Sequence, residues 1–249
     1  MTYSIGIDSG STATKGILLA DGVITRRFLV PTPFRPATAI TEAWETLREG
    51  LETTPFLTLT GYGRQLVDFA DKQVTEISCH GLGARFLEPA TRAVIDIGGQ
   101  DSKVIQLDDD GNLCDFLMND KCAAGTGRFL EMMARTLGLS LEEMSTKGLE
   151  WKENIVISSM CTVFAESEVV SLVAQNKDVA DIIHGLNVSV ASKVGALAAR
   201  LGKKNPGEYM MTGGVAKNPG IIKALEEKLD AKLYICDEAQ LCGALGAAL

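Results

Sequence analysis

The chain has 249 residues, a net charge of −8 at neutral pH and a pI near 4.9. That acidic balance excludes a wide basic face for nucleic acid, because neutralising phosphates takes clustered Lys and Arg. With 46% hydrophobic and 22% charged residues the composition is globular, no apolar run approaches the ~18–20 residues that span a bilayer, and the start MTYSIGIDSG is not ordered like a signal peptide. A cytoplasmic protein with no nucleic-acid or membrane partner is expected.

The first predicted element is a β-hairpin, IGIDSGSTATKGILL from Ile5, with Asp8 and Gly10 entering a polar turn. A helix follows in TAITEAWETLREGLE, then a strand running into a glycine turn in PFLTLTGYGR. VIDIGGQDSKVIQL, from Val94, is a second hairpin, and Asp108–Asp110 before Gly111 marks a solvated turn. In NDKCAAGTGRFLE, residues Gly125, Thr126 and Gly127 open a helix whose apolar face is Phe129, Met133 and Leu137. Backbone N–H groups pointing outward from such a turn suit an anion. NIVISSM reads as a short strand, and TVFAESEVVSLVAQ as a helix with Val163, Val170 and Val173 on one face. The stretch from Val179 reads as a long helix closed by a C-cap at Gly202. EYMMTGGVAKNPGIIKALEEKL gives a strand, a glycine turn and a helix, with Asn218 as N-cap and Pro219 at the first helical position. The small apolar residues of LCGALGAAL read as a last helix.

The two hairpins echo each other. Asp8 to Lys15 is seven residues, as is Asp96 to Lys103, and Gly10 corresponds to Gly98. This predicts an α/β chain of two duplicated lobes, the first formed by 1–90 plus 237–249 and the second by 91–236.

Three glycine turns, each after a strand, carry phosphate chemistry. In the first, Gly10, Ser11, Thr12 and Lys15 offer amides, hydroxyls and an ammonium, while Asp8 suits a hydrated Mg²⁺. In the second, Asp96, Gly98, Gly99, Gln100 and Asp101 include side chains able to orient an attacking water. The third, Gly213, Gly214, Val215, Ala216, Lys217 and Asn218, lets backbone lie flat against a base or ribose. Neither GxxxxGK[ST] nor GxGxxG is present. The pattern resembles the phosphate-1, phosphate-2 and adenosine motifs of the superfamily of actin, sugar and acetate kinases and the Hsp70 chaperones. That resemblance implies two ribonuclease-H-like lobes with ATP or ADP in the cleft between them and closure on ATP. It leaves a kinase, a chaperone and a switch open.

Six cysteines occur, without a CxxC pair or zinc-finger spacing. Cys122 and Cys161, 39 residues apart, each precede a predicted helix. A helix N-terminus lowers a thiolate pKa and offers amides to a cluster's sulfides. Two buried thiols would be the bland alternative. Two cysteines are also half a ligand set, which a symmetric dimer would complete to four, enough for one [4Fe-4S] cluster. Cys79, Cys114, Cys236 and Cys242 are expected to be structural, His80 and His184 to be packing or surface residues, and any redox role of Glu166 and Glu168 secondary.

NDKCAAGTGRFLE, SSMCTVFAESEV, GYGR at 61–64, DKQVTEISCH at 71–80, VIDIGGQD and MTGGVAKN together resemble the ATP-dependent activator family of 2-hydroxyacyl-CoA dehydratases, which includes related ATPase subunits of benzoyl-CoA reductase. The resemblance covers nearly the whole chain. It implies a homodimer bridged by one oxygen-sensitive [4Fe-4S] cluster on Cys122 and Cys161 of each subunit. It further implies ATP-driven single-electron transfer from a ferredoxin or flavodoxin to a partner dehydratase or acyl-CoA reductase. The competing expectation is a small-molecule (sugar or carboxylate) kinase of the same fold without a cluster.

Overall fold

The computed structural model describes residues 2–158, 161–201 and 208–249. In chain order, β1 (Tyr3–Ser9), β2 (Ala13–Ala20), β3 (Val23–Pro31), α1 (Pro36–Arg48), β4 (Phe56–Thr60), β5 (Lys72–Gln73) and α2 (Glu76–Leu87) come first. They are followed by β6 (Ala93–Ile97), β7 (Ser102–Leu107), β8 (Leu113–Asn119), α3 (Gly127–Leu137), α4 (Leu141–Lys147), α5 (Thr162–Ala174) and α6 (Val179–Arg200). The chain closes with β9 (Tyr209–Thr212), α7 (Pro219–Leu229), β10 (Leu233–Tyr234) and α8 (Cys242–Ala248).

The strands form two five-stranded sheets, β3-β2-β1-β4-β5 and β10-β9-β6-β7-β8. Numbered within each half, both read 3-2-1-4-5, so the duplication expected from the hairpins is present in the topology. The described residues divide into two compact units. Unit 1 comprises 1–94, 105–114 and 236–249, and unit 2 comprises 95–104 and 115–235.

In unit 1, β1 pairs antiparallel with β2 and parallel with β4. Strand alternation sends Leu18 to one face, with Ile5, Ile7, Ile40, Leu47, Leu57 and Leu59, and sends Ile17 and Leu19 to the other, with Ala244, Leu245 and Ala248 of α8. Each fully buried Leu or Ile contributes roughly 1.5–3 kcal/mol of apolar burial. The predicted last helix exists, and it packs against α2 and β1. Its approach to α2 is so close that a Cβ on Gly246 would collide with the Cys79 carbonyl, so only glycine fits there.

In unit 2, α6 is a core helix packed on α7, burying Ile182, Ile183, Leu186, Val190 and Val194. By length and composition it is apolar enough to cross a membrane, with a mean hydropathy of 1.3 in its best window. This corrects the expectation that no such run exists. Small residues and only scattered charges give the run its hydropathy, and 61% of that window is buried within the fold. The expected C-cap at Gly202 lies outside the described residues. Asn218 caps α7 with Pro219 at its first position, as expected.

One predicted strand is absent, since 154–158 is irregular. Ile155 and Ile157 are buried and Val156 is exposed, so the alternation is real. The segment lies against a helix instead of a neighbouring strand: Gly185 of α6 abuts the Ile155 carbonyl and the Ile157 side chain. Asp108–Asp110 and Gly111 form the expected turn, with Gly111 at φ 88°.

Candidate functional site

The β1–β2 hairpin places Asp8 opposite Lys15 in register. The Lys15 Nζ donates to Asp8 Oδ2 at 2.8 Å. The turn between them is pinned by Gly10 N to Ala13 O at 3.2 Å, Thr32 N to Thr12 O at 2.9 Å and Thr32 Oγ1 to Gly10 O at 2.7 Å. Two hydroxyls there, Ser9 Oγ and Thr12 Oγ1, are buried without a hydrogen-bond partner. Orphaned buried donors cost about 1–3 kcal/mol each and mark a place where a ligand or water completes the structure.

The β6–β7 hairpin repeats the geometry with one more charge. Lys103 Nζ donates to Asp96 Oδ2 at 3.1 Å and to Asp101 Oδ1 at 2.8 Å. Thr212 Oγ1, at the end of β9, donates to Asp96 Oδ1 at 2.9 Å. Asp96, Asp101 and Lys103 are 2%, 5% and 2% exposed, so the charges persist in the interior through mutual pairing. Asp101, expected to orient water, is thus engaged by Lys103, whereas Gln100 is exposed at the tip of the turn. In the sequence Lys103 stands out only through the echoed spacing, and Thr212 not at all.

After β9, Gly213 adopts φ 85° and Gly214–Lys217 forms one 3₁₀ turn. Lys217 is exposed, and the Asn218 Oδ1 accepts from Ile221 N at 3.1 Å as the α7 cap.

Cys122 and Cys161 are both exposed free thiols. Cys161 is the N-cap of α5 and its side chain makes no capping bond. Cys122 stands five residues ahead of α3 instead of directly before it. Its loop is held by Asn119 Nδ2, which donates to Cys122 O at 2.9 Å and Ala124 O at 3.2 Å, and by Thr126 Oγ1 to Ala123 O at 2.6 Å. The outward-facing amides expected around Gly125–Gly127 are engaged instead. Thr126 N donates to Ala123 O at 3.0 Å, Gly127 N to Gly98 O at 2.8 Å and Arg128 N to Gly99 O at 2.8 Å. Phe129 and Met133 are buried as predicted, and Leu137 is half-buried.

Helices α3 and α5 pack together, so the two cysteine-bearing loops belong to neighbouring elements. Among the described residues no group of three or more Cys, His, Asp or Glu could hold a metal ion. After Cys161, α5 exposes Val163 (65%), Phe164 (67%) and Val170 (54%), and Val156 precedes them at 73%. Large apolar side chains at this exposure are candidates for an interaction surface.

The other cysteines divide. Cys79 and Cys242 are buried, Cys236 is half-buried, and Cys114 is exposed on β8. Burial pushes the Cys79 thiol up to about 11, which makes it inert beside an exposed thiol. His184 stacks on Trp151 at 3.9 Å, and His80 is buried, consistent with packing roles.

Residues 5–249 match the family described as "BadF/BadG/BcrA/BcrD ATPase family". The protein YjiL of Escherichia coli K12 is 68% identical over 252 residues, covering 100% of this chain and 96% of that protein. The crystal structure of Acidaminococcus fermentans (R)-2-hydroxyglutaryl-CoA dehydratase component A is 47% identical, with a TM-score of 0.93 over 100% of this chain and 96% of that one. The activator of the 2-hydroxyisocaproyl-CoA dehydratase from Clostridium difficile with bound ADPNP is 42% identical, with a TM-score of 0.91 over 99% and 93%. At 15% identity a ROK family glucokinase from Streptomyces griseus still aligns with a TM-score of 0.60 over 99% of this chain and 98% of its own, a likeness of fold alone. The fold is that of the actin-like ATPases and sugar kinases.

Proposed function

We propose, since this chain belongs to the BadF/BadG/BcrA/BcrD ATPase family, that it is an ATP-hydrolysing activator that passes single low-potential electrons to a 2-hydroxyacyl-CoA dehydratase or related acyl-CoA reductase. The observation that carries this reading is the pair of exposed thiols, Cys122 and Cys161, on two neighbouring elements beside an exposed apolar row on α5. A kinase of this fold needs neither feature. The relatives named as dehydratase activators support the same reading.

In this reading two copies associate through the α5 face, and Cys122 and Cys161 of each hold one [4Fe-4S] cluster. Bound there, the cluster would supply a one-electron carrier at low potential. Asp8, its carboxylate fixed by Lys15, would hold a Mg²⁺ that screens phosphate charge. The backbone and hydroxyls of Gly10, Ser11 and Thr12 take phosphate oxygens, and the unpartnered Ser9 and Thr12 hydroxyls supply ready donors. Gly98 and Gly99 admit phosphate close to backbone, and Gln100 orients the attacking water. Asp96 and Asp101, both paired with Lys103, hold that turn together so that it moves as one piece. Gly213, Gly214, Lys217 and the Asn218 backbone contact the nucleoside. The electron donor is of the ferredoxin or flavodoxin kind, and the location is cytoplasmic.

Iron and sulfide after anaerobic purification test this, on the wild type, Cys122→Ser and Cys79→Ser. The expected result is about four irons per dimer, lost in Cys122→Ser, kept in Cys79→Ser and lost from the wild type on exposure to air. No iron in any of them, even after reconstitution, together with phosphate transfer from ATP to a small acceptor, would replace this reading with the kinase.

A further inference from the structure

We infer that Gly127 is a positioning residue that ties the turn after β6 to the loop carrying Cys122, and that Thr136 and Glu166 extend the tie to the helix capped by Cys161. The inference rests on the function proposed above, in which that turn meets nucleotide and the two cysteines hold a cluster.

The first amides of a helix have no partner inside it. In α3 those of Gly127 and Arg128 donate to the carbonyls of Gly98 and Gly99, both at 2.8 Å. The phosphate-2 turn and the start of α3 are therefore joined by two adjacent backbone bonds. A shift of the turn large enough to seat a phosphate must carry α3 with it or break both. The contact is close at residue 127. A Cβ on residue 127 would stand 3.1 Å from Gly98 O and 3.2 Å from Gly99 Cα, inside ordinary packing distance. Four residues before Gly127 the same chain segment turns at Ala123, whose carbonyl accepts from Thr126 N and Thr126 Oγ1. Cys122 is the next residue back, so its loop is anchored on the first turn of α3.

An α-helix transmits displacement along its length because its hydrogen bonds are short and axial. At the far end of α3, Thr136 Oγ1 lies 3.2 Å from Glu166 Oε1 of α5 and 3.1 Å from its own-helix Met132 carbonyl, and it shares its proton between them. Two residues further, the Glu168 carboxylate accepts from Ser158 N at 3.0 Å and from Ser158 Oγ at 3.1 Å. That ties Ser158 to α5. A path thus runs within unit 2 from the Gly98–Gly99 carbonyls through α3, whose first turn anchors the Cys122 loop, to α5, whose N-cap is Cys161.

Thiol reactivity reads the coupling without catalysis. The full chain is purified anaerobically, its iron counted and then removed by chelation. Alkylation of Cys122 and Cys161 is followed peptide by peptide with and without Mg·ADPNP. In the wild type, nucleotide changes both rates by about fivefold or more, the low end of ordinary site-to-site coupling. Gly127→Ala, still binding ADPNP, loses most of the change at both cysteines. Thr136→Val keeps it at Cys122 and loses it at Cys161, and it is conservative enough to decide the matter should Gly127→Ala not fold. A wild type whose thiols ignore bound nucleotide, or variants that respond like wild type, would overturn the inference. The iron count on the same preparation judges the cluster reading separately.

Discussion

The β1–β2 and β6–β7 hairpins share one frame and differ in the residue that closes the turn. Both carry Asp and, seven residues on, Lys, and both close their turn with the same bond, Gly10 N to Ala13 O in one and Gly98 N to Asp101 O in the other. At that closing position the first has Ala13 and the second Asp101. The added carboxylate draws Lys103 inward, where its side chain is 3% exposed between two anions, whereas Lys15 keeps 17% exposure and one carboxylate partner among its ion pairs. The residue at that closing position thus helps separate a lysine near the mouth of a turn from one built into the fold. A buried cation with two anions serves rigidity, and a cation at the edge of solvent can turn towards a phosphate.

The largest effect expected from this difference is on stability. Lys103→Met strands two buried carboxylates and should cost about 3–5 kcal/mol in urea unfolding. Lys15→Met should cost about 1–3 kcal/mol, the range for a bond to a charged group. Equal losses would mean the two lysines do the same work. Adding Asp101→Asn to Lys103→Met should restore part of the loss, since one of the stranded charges is gone. Next in size, Ala13→Asp should convert the first hairpin towards the second. The new carboxylate competes for Lys15 and repels phosphate, so Mg·ATP affinity should fall about tenfold in a titration, with unfolding midpoint little changed. Unaltered affinity would show that the extra carboxylate is not what divides the copies.

The smallest effect concerns pH. Cys79 sits beneath the first hairpin, where burial chiefly, and the Asp8 charge in part, hold its thiol at about 11. A folded-state value above the unfolded one contributes stability that is complete below about pH 9 and disappears as pH rises through 11. The second hairpin has no such neighbour among the shifted groups. Unfolding measured from pH 8 to 11 should therefore show an alkaline decline that Cys79→Ala flattens. The same thiol should resist alkylation at pH 8 while Cys122 reacts.

The hairpins were legible in sequence because their chemistry is local: alternating apolar residues, Asp-x-Gly and a lysine at fixed distance. Topology followed from the echo, and the cap at Asn218 from two adjacent residues. What escaped was non-local. The alternation of Ile155, Val156 and Ile157 reports an extended backbone, and no local pattern says that its partner is a helix. The turn at Gly125–Gly127 has the composition of an anion site, yet its amides go to Gly98 and Gly99, about thirty residues away in sequence. Thr212 joins Asp96 across 116 residues. The apolar length of α6 resembles a membrane span until α7 is seen against it. The exposure of Val163 and Phe164 inverts what an apolar helix face ordinarily means, and only the fold reveals it.

The lodging of α8 against β1 and α2 has a consequence for how the molecule is made. Ser4 Oγ donates to Ala248 O across 244 residues, and the apolar faces of Ile17 and Leu19 are covered by Ala244, Leu245 and Ala248. During synthesis the first hairpin leaves the ribosome well before the helix that seals its sheet. Its apolar face must wait, bare, while the long continuous stretch 115–235 emerges. Closing a loop of that length is slow and leaves sticky surface open to other chains meanwhile. The nascent chain should accordingly stay bound to chaperones until the segment around Cys242 clears the exit tunnel.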